Sequence, residues 1–162
     1  PRQQSLWGHY LCSLFVLIAL YTRPAAFQRY LSASPSLWWI QGAALGEPEQ
    51  QFVQNVHGQS AKLWLMLGGA ERVGDRGKRD MTNPRVVAHL RRIGGATPDA
   101  AMQLSSRLAK VPGLSVQYRE FPGLGHGPML PASFHAALHE LYGVTDRSVD
   151  DGKAPAPTNA AE

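Results

Sequence analysis

The residue types best suited to chemistry gather at one turn. In "SLWGHYLCSLFVLIALYTRP", Ser5 to Pro24, a short apolar strand runs through Gly8-His9-Tyr10-Leu11-Cys12-Ser13 into an apolar helix. Strand, sharp turn and helix make up the G-x-S-x-G elbow, where flanking glycines let the backbone bend around an exposed serine. The helix N-terminus then points at the site, and the N–H after the nucleophile helps hold an oxyanion. That N–H belongs to Leu11 here. The tip of the turn is Tyr10, and both trailing glycine positions are filled, by Cys12 and Ser13. A phenol, with a pKa of about 10 and a rigid ring, carries its oxygen well beyond the place of a serine hydroxyl. Tyr10 is therefore read as standing in a nucleophile position without competence for in-place acyl transfer. Cys12, two residues past the tip, is expected to turn into the helix packing as core filler, and Ser13 likewise.

Two other constellations are weaker. His135 and His139 stand i, i+4, but the intervening Ala136, Ala137 and Leu138 do not form H-E-x-x-H. They are read as helix-surface histidines, and no metal is expected. Trp38 and Trp39 follow "SPSL" at the end of a strand candidate, where open α/β sheets bind ligands.

The elements that must position these residues follow from apolar periodicity. Strand candidates are Gln4 to Trp7, Tyr30 to Ser34, Leu63 to Leu67 and Leu114 to Phe121. Helical stretches lie between and after them: Leu11 to Thr22, Gln50 to His57, Pro84 to Arg91 with Pro98 to Lys110, and Pro131 to Leu141. Thr97-Pro98-Asp99 supplies an N-cap, a proline at the first helical position and a first-turn acid. Short, continuously apolar strands alternating with helices predict the α/β class, about four parallel strands flanked by helices. Residues 1–143 form the expected domain. The stretch 144–162, "VTDRSVDDGKAPAPTNAAE", has almost nothing to bury and is expected to be a disordered tail.

At 162 residues and 44% hydrophobic, the chain can bury one core, as one domain or a piece of a larger one. The net charge of +4 is spread, with "RGKR" (Arg76 to Arg79) the one basic run and no aromatic stripe beside it, so nucleic acid is not an expected partner. The single cysteine excludes an intramolecular disulfide and a cysteine-built zinc site. The apolar run Leu11 to Tyr21 falls short of the roughly 20 residues of a bilayer span and lacks signal-peptide flanks, so no membrane is expected either. The chain opens at Pro1, almost inside a strand, and upstream sequence is expected to be missing. The compartment, cytoplasmic or periplasmic, stays open for a chain read as soluble.

Read together, four motifs resemble the enterochelin (siderophore) esterase family of α/β-hydrolases. They are the elbow, "FQRYLSASPSLWW" (Phe27 to Trp39), "LWLMLGGAE" (Leu63 to Glu71) and "FPGLGHGPMLP" (Phe121 to Pro131). The likeness covers roughly Gln4 to Tyr142. It implies a partial α/β-hydrolase fold, the C-terminal half, with a degenerate G-H-S-x-G-G elbow and no cofactor. It implies a small-molecule ester as substrate, cleaved through a serine, a histidine and an acid. His126 then corresponds to the general base, Glu71 to the orienting acid with Asp75 as the alternative, and Leu11 to one oxyanion donor. Trp38 and Trp39 correspond to the wall of the substrate pocket. With serine replaced by Tyr10, the resemblance implies an inactive chain, or a truncated homologue that only binds. The first strand is expected to leave one edge unpaired, open to association.

Overall fold

The computed structural model describes residues 3–56, 58, 60–73, 80, 82–93, 97 and 99–143. Four strands, β1 Ser5–His9, β2 Arg29–Ala33, β3 Ala61–Gly68 and β4 Leu114–Phe121, form one parallel sheet in the order β1-β2-β3-β4. Six helices accompany them: α1 Leu11–Thr22, α2 Glu47–Asn55, α3 Gly69–Val73, α4 Pro84–Ile93, α5 Ala100–Leu108 and α6 His126–Tyr142. An irregular 3-10 segment, Trp39–Leu45, precedes α2 and is broken by left-handed backbone at Ile40, Gln41 and Gly42. The α/β class and the four parallel strands are as the apolar runs predict.

The inner strands β2 and β3 are largely buried on both faces because helices cover both. On one side, Val16, Leu17 and Leu20 of α1, Phe52 of α2, and Leu104 and Leu108 of α5 pack with Tyr30, Leu63 and Leu65. On the other, Met129 and Ala137 of α6 pack with Leu31, Ala33 and Met66. Period-two alternation sends neighbouring strand residues to opposite cores.

Several boundaries differ from expectation. β1 runs two residues past Trp7, and α2 begins at Glu47, with Pro48 in its first turn. Asp99, not Thr97, is the N-cap of α5, and its carboxylate bonds Arg72 rather than the helix end. The largest shift is at α6, which starts at His126, five residues before Pro131. Pro128 falls in the first turn, where a missing N–H costs nothing, and Pro131 removes only the bond to Gly127. The expected tail 144–162, the alternative acid Asp75 and the basic run Arg76 to Arg79 lie outside the described residues.

Candidate active site

Each strand delivers one residue to the carboxyl rim of the sheet. Tyr10 follows β1, Ser34 follows β2, Glu71 stands in α3 directly after β3, and His126 opens α6 after β4.

Tyr10 has φ 61° and ψ −119°, a conformation a non-glycine residue adopts only under constraint. Ser34 at φ 46° is a second such residue. Both are held by an extension of the sheet ladder: Tyr10 N–H donates to the Ala33 carbonyl at 3.1 Å, and Ser34 N–H to the Met66 carbonyl at 2.8 Å. The sharp turn also needs Gly8, since a Cβ there would stand 2.4 Å from the Cys12 carbonyl oxygen. Only the first glycine of the elbow is thus required by space. Cys12 is exposed, contrary to its expected place in the core, because α1 turns that side chain away from the sheet. Ser13 is buried as expected, its Oγ 2.7 Å from that of Ser32.

His126 and Glu71 meet, with Nδ1 2.8 Å from Oε2. A carboxylate only accepts, so Nδ1 carries a proton and Nε2 is the nitrogen turned away from the acid. The other carboxylate oxygen, Oε1, accepts from Ser34 Oγ at 2.6 Å and from Gly68 N–H at 2.9 Å. Burial pushes the Glu71 carboxyl up, but the hydrogen bonds from His126, Ser34 and Gly68 outweigh it and hold the group below its ordinary range. Gly68 is itself obligatory, because a Cβ would lie 2.2 Å from the Leu124 carbonyl oxygen.

The Tyr10 ring stands edge-on to the His126 ring, centroids 4.9 Å apart. Trp38 lies 6.2 Å from Tyr10 and 5.5 Å from Trp39, the first half-buried and the second exposed. The Leu11 N–H, at the first position of α1, belongs to the turn whose amides have no acceptor within the helix. The fold therefore brings Tyr10, Leu11, Glu71, His126 and Trp38 to one rim, with Trp39 beside them. His135 and His139 are exposed on α6, and no group of three or more metal-ligating side chains occurs among the described residues.

Two residues of this cluster are not foreseen from the sequence. Ser34 lies in the quoted "SASPSLWW" and His9 in the elbow itself. His9 Nε2 stands 3.1 Å from the His126 carbonyl oxygen, and the two rings are 4.7 Å apart. A groove of about 430 Å³ between β3, β4 and α6, lined by Trp64, Gln117, Arg119 and Glu140, includes none of the rim residues. The site is marked by its chemistry rather than by the size of its cavity.

No family model matches the chain. Individual proteins do. Ferri-bacillibactin esterase BesA of Bacillus subtilis (strain 168) is 30% identical over 139 residues, which are 85% of this chain and 42% of that protein. Apo-salmochelin esterase of Escherichia coli O6:H1 is 30% identical over 142 residues, 88% of this chain and 39% of that one. Among solved structures, siderophore hydrolase EstA from Aspergillus nidulans superposes with a TM-score of 0.71 at 25% identity, over 86% of this chain and 47% of that one. In sequence and in structure the chain is homologous to the siderophore esterases, as an α/β-hydrolase of that family would be. It spans about two fifths of the length of the curated siderophore esterases it matches. Siderophore-esterase relatives and structure thus agree on a partial α/β-hydrolase core.

Proposed function

We infer that this chain carries the base-and-acid part of a siderophore-esterase centre and holds ester ligands of that class without turning them over. His126 is the general base, Glu71 the acid that fixes its tautomer, and the Leu11 N–H one oxyanion donor. Trp38 and Trp39 form a wall for the acyl group. Tyr10 stands where the attacking hydroxyl belongs and cannot perform that step. One observation carries the reading: a residue at φ 61° on a strand-to-helix turn touches an imidazole whose other nitrogen is bonded to a carboxylate. That is the arrangement of an acyl-transfer triad with its first member exchanged.

The unpaired outer edge of β1 is proposed as a surface for association, since no strand pairs with it among the described residues. No helix among those residues is long and apolar enough to cross a membrane.

Turnover of p-nitrophenyl acetate and of a catechol trilactone by the purified chain tests the reading. The unmodified chain should match the uncatalysed rate, and Tyr10→Ser should raise it at least about a hundredfold, a gain abolished by His126→Ala. Repeated turnover by the unmodified chain that depended on His126 would overturn the assignment of inactivity.

A further inference from the structure

We propose that His9 is a positioning residue for His126, locking the backbone that carries the base by donating its Nε2–H to the His126 carbonyl while itself staying neutral. This rests on reading His126 and Glu71 as base and acid, and adds a third ring to that pair.

The geometry starts at the end of β1, where His9 aligns with Ala33 on the side of the sheet covered by α6. Its Nε2 is 3.1 Å from the His126 carbonyl oxygen. A carbonyl cannot donate, so the proton resides on Nε2 and the tautomer of His9 is fixed. The bond ties the first turn of α6 to β1, and therefore to the turn that bears Tyr10. Beside it, the first turn of α6 is held by the Nδ1 bond to Glu71, by Ala70 N–H on the Leu124 carbonyl at 3.1 Å and by the buried Met129, none of which is a hydrogen bond to β1. Side-chain geometry at such a site depends on the groups that hold it.

Neutrality follows from surroundings. Burial and the neighbouring His126 push His9 below its ordinary range, against smaller upward pulls from the hydrogen bond and from Glu71. The titratable groups that face it are His126 from α6 and Glu71 from α3, with Tyr10 next in the chain and in contact with His126. Two imidazoles 4.7 Å apart repel when both are charged. Keeping His9 neutral leaves His126 as the ring paired with a carboxylate, so the proton facing Glu71 belongs to one ring of the two.

The test is nitrogen-15 NMR of the imidazoles in the full chain near neutral pH. His9 should be the neutral Nε2–H tautomer and His126 the Nδ1–H tautomer. His9→Phe keeps a ring but no donor, and should lower the ratio of Nδ1-protonated to Nε2-protonated His126 by about tenfold, as loss of one hydrogen bond allows. His9→Gln, which keeps an N–H of similar reach, should restore it. If His9 in the unmodified chain is charged or Nδ1-protonated, the proposal is overturned without any variant, and an unchanged His126 in His9→Phe overturns it equally. A correct His9 beside a His126 that is not Nδ1-protonated would instead sink the base-and-acid reading and leave the His9 bond standing.

Discussion

Glu71 shows how single atoms divide the work at the rim. One oxygen faces the imidazole and the other takes two donors, Ser34 Oγ and Gly68 N–H. Ser34→Ala removes the shorter of these and should raise the Glu71 carboxyl toward its ordinary range, read by carbon-13 titration, and cost about 1–2 kcal/mol at neutral pH. The pH dependence of stability follows from the same groups. Glu71 is depressed in the folded chain, so its contribution is present above about pH 4.5 and is lost as pH falls through the folded value. His9 is also lowered, so the unfolded chain binds its proton first, and stability begins to fall as pH drops below about 6.5. Melting temperature should thus decline in two stages on acidification, and His9→Gln should remove the first.

Elements matter through their junctions. At Gly8 the β1 backbone approaches that of α1 so closely that any Cβ meets the Cys12 carbonyl at 2.4 Å. Gly8→Ala should therefore cost about 1–3 kcal/mol by overpacking against backbone that cannot move aside, measured by denaturant unfolding. A second junction is the fork of Arg107 on the buried Glu49, at 2.6 and 2.9 Å, which clamps α5 to α2. Much of this level is legible in the sequence. The apolar run at Leu63 to Leu67 is a strand covered on both faces, Leu114 to Phe121 alternates half-buried and exposed residues as an edge strand does, and α1 has the bounds its apolar stretch predicts. The start of α6 is not legible, because proline rules favour Pro131 while the helix tolerates that residue in its second turn. Cys12 is misjudged for a related reason: α1 is apolar all round, so its sequence does not say which side meets the sheet. His9 and Ser34 escape notice because their partners, His126 and Glu71, are 117 and 37 residues away and meet them only through the parallel register.

At the scale of the molecule, β1 is the exposed feature. It lies at the end of the strand order, and beside it α1 leaves Leu11 and Phe15 exposed, one turn apart, at 38% and 62%. On α6, Leu130 and Phe134 repeat that spacing, and Phe134 stacks edgewise on Trp7 of β1 with centroids 5.0 Å apart. A strand edge with no partner among the described residues, flanked by two apolar helical stripes, is a surface that water does not stabilise. The isolated chain should bind a hydrophobic dye and elute with a size that grows with concentration, and Phe15→Lys with Phe134→Lys should reduce both. A monodisperse, dye-free chain would argue against that surface.

We propose that the paired His126 imidazole and Glu71 carboxylate face, at Tyr10, a side chain of the wrong length for acyl transfer. Intact-mass analysis after exposure to a fluorophosphonate tests it most directly, because phosphorylation needs an activated hydroxyl at the right place and expels fluoride only then. The unmodified chain should gain no adduct, Tyr10→Ser should gain one equivalent at position 10, and Tyr10→Ser with His126→Ala should gain none. Stoichiometric, His126-dependent labelling of Tyr10 in the unmodified chain, or a Tyr10→Ser chain labelled equally well without His126, would contradict it.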